Sequence, residues 1–362
     1  MATTSSAIDI DVGEKRDRRR GRFFARINTA EKYLGVLGFG WVVPLLKMAA
    51  GDSLQHQLKD LWHQLVVPLI GIAVFLGGWA LLAPRVQTSL GAIPGPAQVW
   101  EQATNLYADH NAERIKAAAF YERQAARNDK LIADGKADQV RHRSYTGKPT
   151  YIDQILTSLK TVGLGFLIAT ILAVPLGIMC GLSKGVNGAL NPLIQIFKPV
   201  SPLAWLPIVT MVVSALYLDP SDALPKSLVI SAITVMLCSL WPTLINTALG
   251  VSSIDRDLVN VGRVLKLSWT TKVFKVVLPS ALPLIFTGLR LSLGVGWMVL
   301  IAAEMLAQNP GLGKFVWDEF QNGSSQSLAK IMVAVLTIGI IGFLLDRVMV
   351  ALQSAFTHNA TR

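Results

Sequence analysis

Charge is scarce in this chain. Of its 362 residues 16% are Asp, Glu, Lys or Arg and 52% are hydrophobic, whereas a soluble globular domain carries about 25% charged residues. The deficit is uneven. Several stretches of about 18–25 residues hold almost no charge, and each is long enough to cross a hydrocarbon layer of about 30 Å as a helix. This excludes an ordinary cytosolic enzyme, a secreted disulfide module and a disordered tail protein. Cysteine is almost absent as well. Cys180 and Cys238 both lie inside apolar stretches and read as small buried hydrophobes, not as a disulfide framework.

Catalytic patterns are missing too. The five histidines, at 56, 63, 110, 142 and 358, are scattered, with no H-E-x-x-H and no Cys/His cluster for zinc. There is no G-x-S-x-G elbow. Gly313-Lys314 is followed by Phe315 and Gly147-Lys148 by Pro149, so neither forms the phosphate loop G-x-x-x-x-G-K-[ST]. No catalytic residue, metal site or ATP hydrolysis by this chain is expected. No secretory signal is expected either, because the basic run Lys15, Arg16, Arg18, Arg19, Arg20, Arg22 leads into polar sequence. The net charge of +11 then speaks for positive-inside loops and anionic lipid rather than for nucleic acid.

What is present is an all-α, polytopic membrane protein with about six transmembrane helices. Residues 1–32 read as a disordered basic cytoplasmic arm. The segment 33–64 reads as interfacial or re-entrant, since its apolar part, 33–46, is short and holds Pro44. A first span is predicted at 65–83. An external loop with a helical insertion follows at 84–159, helix-prone from about 112 to 135. Five more spans lie near 160–182, 190–217, 227–250, 279–303 and 328–353, within a core of 160–353, before a cytoplasmic tail at 354–362.

Orientation follows from Lys and Arg in the shorter loops. The 251–278 loop holds Arg256, Arg263, Lys266, Lys272 and Lys275 and is expected inside. The 304–327 loop holds Lys314 against Glu304, Asp318 and Glu319 and is expected outside, which puts both termini in the cytoplasm. Loops longer than about 60 residues are largely exempt, so the basic residues of 84–158 are compatible with an external position.

Pro192, Pro199, Pro202 and Pro207 crowd one span, and Pro242 interrupts the next. Interior prolines free backbone carbonyls that neighbours must satisfy, and such broken helices line cavities more often than they face lipid. Lys198, Ser201 and Trp205 in the crowded span are candidates for a pathway wall. Arg290, about three turns into its span, either holds an inter-helix contact or attracts an anion. Trp297 joins it as a path candidate on the same span. Glu304 would repel an anion and is assigned to an external gate or to structure.

The most informative stretch is VSSIDRDLVNVGRVLKLSWTTKVFKVVLPSALPLIFTGL, 251–289. Val261, Val264, Leu265, Val273 and Val277 recur near helical spacing with basic residues between them. The pattern predicts an amphipathic helix pair ended by Leu278-Pro279. Such a pair suits either docking on another protein or lying on lipid headgroups.

This stretch resembles the signature E-A-A-x3-G-x9-I-x-L-P of the permease subunits of ABC importers, in the cytoplasmic loop before the penultimate span. Asn260-Val261-Gly262 stand at the E-A-A, Lys266 at the glycine and Val276 at the isoleucine, and Leu278-Pro279 are retained. The following LPSALPLIFTGLRLSLGVGWMVLIAAEML and GLGKFVWDEFQN are similar to the nitrate/bicarbonate/sulfonate branch, most of all to nitrate permeases. So is the order of LGAIPGPAQVW, the proline-rich span and the final apolar span. The resemblance covers about 60–355.

It implies a type I importer permease in a bacterial inner membrane. Asn260, Val261, Gly262, Arg263, Lys266, Lys272, Lys275, Leu278 and Pro279 would form the ATPase-coupling loop. Two ABC ATPase subunits would bind ATP and Mg, a second permease copy would complete the path, and an external solute-binding protein would deliver cargo. This chain would bind no cofactor itself. Nitrate or nitrite is the expected cargo, with bicarbonate, cyanate or a sulfonate such as taurine as alternatives. A stand-alone secondary transporter or channel is the reading from outside the family.

Overall fold

The computed structural model describes residues 35, 40–49, 53–88, 91–216, 224–255, 257, 258, 260 and 264–359. The arm at 1–32 lies outside them, as do Arg256, Val261, Gly262 and Arg263. In chain order the described elements are α1 (Val42–Ala49), α2 (Leu54–Arg85), a two-residue hairpin of β1 (Gln87–Thr88) with β2 (Gly91–Ala92), α3 (Pro96–Ala133), α4 (Tyr151–Leu182), α5 (Lys184–Phe197), α6 (Pro202–Leu216), α7 (Lys226–Ser252), α8 (Trp269–Ala307), α9 (Leu312–Asn322) and α10 (Ser325–Asn359). Five helices, α2, α4, α7, α8 and α10, are long and apolar enough to cross a membrane. The pair α5 and α6 makes a sixth crossing if taken together. The fold is all-α and polytopic, as the composition implies.

Two helices run longer than hydropathy suggested, and for one reason. α2 and α8 each contain a π-turn, at Trp62–Val66 and at Val273–Val277, shortly ahead of Pro68 and Pro279. A proline ring strikes the carbonyl four residues back, which is Gln64 in one helix and Lys275 in the other. Each lies mid-way along the widened turn, which makes room for the ring without ending the helix. The amphipathic segment after Ser268 therefore does not stop at Leu278-Pro279. It continues without a break into the span.

The chain divides into two compact units. In the unit of residues 1–81 with 343–362, the Val67–Leu82 part of α2 is apolar all round and buries no residue, the composition of a helix solvated by lipid. Near the end of α10, Arg347 pairs with Asp346 at 3.0 Å and lies over the Phe343 ring.

The unit Leu82–Gly342 has α7 at its centre, packed between α4 and α8. The seams are made of small residues at intervals of four. Gly165, Ala169, Ala173, Gly177 and Gly181 line α4, and the glycines among them meet Ala232, Val235, Leu244, Thr247, Ala248 and Val251 of α7. Added methyl groups would come within 2.6 Å of the Ala232 carbonyl at Gly165 and 2.8 Å of the Leu244 carbonyl at Gly177. Close backbone approach of this kind replaces the hydrophobic drive that lipid removes. α8 meets α7 through Gly288, Ser292 and Gly296. Pro242 breaks the ladder of α7, and the Ser292 hydroxyl enters beside it, accepting from the Thr243 N–H at 3.0 Å and donating to the Ser239 carbonyl.

The insertion is an ordered hairpin of helix and strap. α3 is longer than the expected 112–135, because Pro96 opens it while the Gln98 side chain accepts from the Gly95 N–H. Residues 141–150 return along it. Asn128 donates to the Arg141 carbonyl, Gln124 accepts from the Arg143 N–H and Tyr121 accepts from the Tyr145 N–H. The Tyr145 hydroxyl donates to Glu113 at 2.7 Å, which holds the Glu113 carboxyl below its usual range and pushes the phenol up.

Candidate functional site

Both ends of the α4–α7–α8 bundle carry chemistry. At one end lies the elbow 253–268. Lys266 takes a left-handed backbone, φ 49°, where the family signature has glycine. The sharp turn is thus kept at the cost of placing a side chain where glycine fits more easily. Ser268 then caps the helix by accepting from the Thr271 N–H. Leu258, Val264, Leu265, Trp269 and Phe274 stand 47–80% exposed, with Asn260, Lys266 and Lys275 also exposed and Lys272 half-buried. This is an apolar patch among cations.

The root of the elbow is fixed. Val273 and Val277 are buried against Ile178 of α4, Val251 of α7, and Ala281 and Ile285 of α8, with Leu278 packed at the edge. Pro279 is half-buried beside it. A displacement of the elbow is therefore transmitted to three helices at once, since packed cores deform little.

The proline-rich span expected at 190–217 is two helices, α5 and α6, bent by 102° across residues 198–201. Lys198 caps α5 and Ser201 opens α6 by accepting from the Leu203 N–H. Phe197 stacks on Trp241 at 6.3 Å and lies 5.7 Å from Trp205, which anchors the bend. Trp205 serves that packing, and its indole N–H finds no partner among the described residues.

Beside the bend, at the elbow end, α4, α5 and α7 line a cavity of about 400 Å³ that opens to the surface of the chain. Its floor is Ile194, Leu244, Ile245 and Ala248, and its polar wall is Asn187, Asn191, Gln195 and Lys198. Of the sequence-predicted path residues it contains Lys198. Ser201, Trp205, Arg290 and Trp297 are not among its lining. Arg290 is exposed on α8. Trp297 is buried, and its indole donates to the Ile338 carbonyl at 3.0 Å, tying α8 to α10. Sequence reasoning singled out Lys198 and not the three amides; Asn187 falls between the spans expected at 160–182 and 190–217, and Asn191 and Gln195 fall inside the second, although polar residues every four positions beside Val186, Leu190 and Ile194 mark a two-faced helix.

At the opposite end Glu304 is fully buried. Its carboxylate accepts from Ser158 of α4 at 2.8 and 2.9 Å, from the Gly313 N–H at 3.0 Å and from Asn309 at 3.4 Å. Ser158 also accepts from the Leu312 N–H, and Asn309 reaches Thr161 and receives Ser227. Gln308, with φ 54°, ends α8, and two side chains from elsewhere then cap α9, where a carboxylate meets the positive end of the helix. Glu304 knits α4, α8 and α9 together. It is not among the lining residues of the cavity beside the bend.

The described residues hold no group of His, Cys, Asp and Glu arranged for a metal.

Comparison with known proteins fits this anatomy. The family model described as binding-protein-dependent transport system inner membrane component matches residues 173–358. The nitrate import permease protein NrtB of Synechocystis is 33% identical over 291 residues, covering 80% of this chain and 89% of that protein. The bicarbonate transport system permease protein CmpB of Synechococcus elongatus is 33% identical over 303 residues, covering 82% of this chain and 93% of that protein. A probable ABC transporter permease of Brucella melitensis is 30% identical over 292 residues, 80% of this chain and 95% of that protein.

Proposed function

The chain belongs to the inner membrane components of binding-protein-dependent transport systems, and we propose that it is the permease through which an ATP-driven importer moves nitrate or nitrite into the cell. It is a multi-pass inner membrane ABC permease, a kind of subunit that works with ATPase and solute-binding partners. In our reading two ATPase subunits carry the ATP and Mg, a second copy of this chain completes the path, and both termini are cytoplasmic.

The observation that carries the reading is the elbow. It combines exposed apolar side chains, the lysines Lys266, Lys272 and Lys275, and a root buried in three spans. Exposed apolar clusters of this size on a polar rim mark contact sites. Nucleotide binding in a partner seated there would do work on α4, α7 and α8 through Val273 and Val277. A ligand shifts such an equilibrium only by its difference in affinity for the two states. The bicarbonate permease, matched at the same 33% identity as the nitrate permease, supports bicarbonate as a second reading.

The test is ATP-driven uptake of ¹⁵N-nitrate and ¹³C-bicarbonate by proteoliposomes holding the assembled complex, with Val264→Ser/Trp269→Ser beside the unaltered chain. Uptake of nitrate that falls at least 10-fold in the double variant, together with loss of ATPase co-purification and an unchanged Tm of the chain alone, is the expected result. Uptake without ATP, or full coupling in the double variant, would overturn the assignment.

A further inference from the structure

Asn187, Asn191, Gln195 and Lys198 follow one another along α5 at intervals of four, four and three residues, so one helix face presents them all. They are exposed within this chain. A different face, carrying Val186, Leu190 and Ile194, packs on Ala173, Cys180 and Leu244. Lipid is a poor solvent for such a stripe. A charged side chain within a span is costly, and polar groups in spans turn toward water-filled spaces or partners. The space is present: the stripe lines the cavity of about 400 Å³, with Ser252 and Cys180 on the facing walls.

The chemistry of the lining is one-sided. Three carboxamides, a hydroxyl and one ammonium face the cavity, and no carboxylate is among the described lining residues. No described side chain pairs with Lys198. We infer that this cavity between α4, α5 and α7 is a binding site for a small, singly charged oxyanion, held by the Lys198 ammonium and the amides of Asn187, Asn191 and Gln195. One cation among neutral donors balances a single negative charge and leaves half of a dianion uncompensated. Amide donors match several oxygens without trapping the ion, as a conducting path requires. At the elbow end the site lies next to the helices that the elbow moves, so occupancy and coupling share α4 and α7. The inference rests on the importer reading for its physiological meaning, but its test does not.

Asn191→Cys, in a chain with Cys180 and Cys238 changed to Ala, is labelled in the purified complex with a negatively charged sulfonatoethyl thiosulfonate or a positively charged trimethylammonium one. The anionic reagent reacts at least 5-fold faster, Lys198→Gln removes that preference and Lys198→Arg restores it. Nitrate and bicarbonate slow the anionic reaction at lower concentration than sulfate does. Equal rates for the two reagents, or a preference that survives in Lys198→Gln, would overturn the site. Better protection by sulfate would overturn its charge class. Uptake by the same variants reads the other question. If the unaltered complex imports neither anion with ATP, the importer reading falls, while the labelling result still decides the site.

Discussion

The two ends of the α4–α7–α8 bundle solve opposite problems. At the Glu304 end, polar groups are buried and answered inside the chain: one carboxylate, two hydroxyls, an amide and two helix N–H groups meet within 3.5 Å. At the elbow end, polar and apolar groups alike are left open, from the Lys198 stripe to Trp269. A closed network fixes one geometry, because any shift orphans a buried group. An open end can take on partners and change shape with them. The difference teaches where this molecule satisfies its own polar groups and where it leaves them to its surroundings.

The sharpest way to break the comparison is at Glu304. Glu304→Ala leaves the Gly313 N–H, the Ser158 hydroxyl and one amide hydrogen of Asn309 without their acceptor in a fully buried place. The expected loss is about 3 kcal/mol, read as a fall of roughly 6–12 °C in the Tm of the detergent-solubilised protein. Glu304→Gln keeps one acceptor and turns an NH₂ toward donors, so it should fall between. A Tm unchanged in Glu304→Ala would mean that this end is no more fixed than the other.

A second change asks whether an open surface also means loose packing. Gly177 is on α4 toward the elbow end, where an added methyl would stand 2.8 Å from the Leu244 carbonyl and 2.6 Å from Thr247. Gly177→Ala should cost about 1–3 kcal/mol by forcing two helices apart. On α8, Gly294 has nothing within 4 Å of the same methyl, and Gly294→Ala should gain about 0.5–1 kcal/mol from helix propensity alone. Thermal unfolding of the pair reports it. Equal effects would show that the seam beneath the elbow is as slack as its surface is open.

Much of this was legible from residues alone. Long uncharged runs give the spans, since a helix is the structure that satisfies a single segment's backbone within itself in hydrocarbon. The period-four small residues of α4 were equally visible, although only the neighbour's carbonyls reveal which of them touch. The elbow was found by its basic, amphipathic pattern, and its continuation into α8 was not. A proline reads as a stop, and nothing in the residue pattern announces the π-turn that carries the helix past it, since one such turn is half-buried and the other buries no residue. Glu304 could be placed at an end but not given its partners, because Ser158 lies 146 residues away. The amide stripe was obscured because the helix that carries it starts at Lys184, ahead of the span expected at 190–217, and ends at the 102° bend instead of running on to 217.

The smallest expected effect lies at Lys266, where the family's glycine is absent but its backbone is kept, φ 49°. A left-handed non-glycine residue costs roughly 1–2 kcal/mol, so Lys266→Gly relieves strain. Glycine also widens the unfolded ensemble by about 0.4–1 kcal/mol, and the two terms nearly cancel. The expected net change is a gain of under about 1 kcal/mol, a Tm shift of at most a few degrees. Lys266→Ile is the informative counterpart, because a β-branched residue resists this φ while removing the same charge. If Ile lowers ATPase co-purification and Gly does not, the turn's geometry, and not the lysine's charge, is what the open end must offer its partner. If both behave alike, the charge matters and the backbone is incidental.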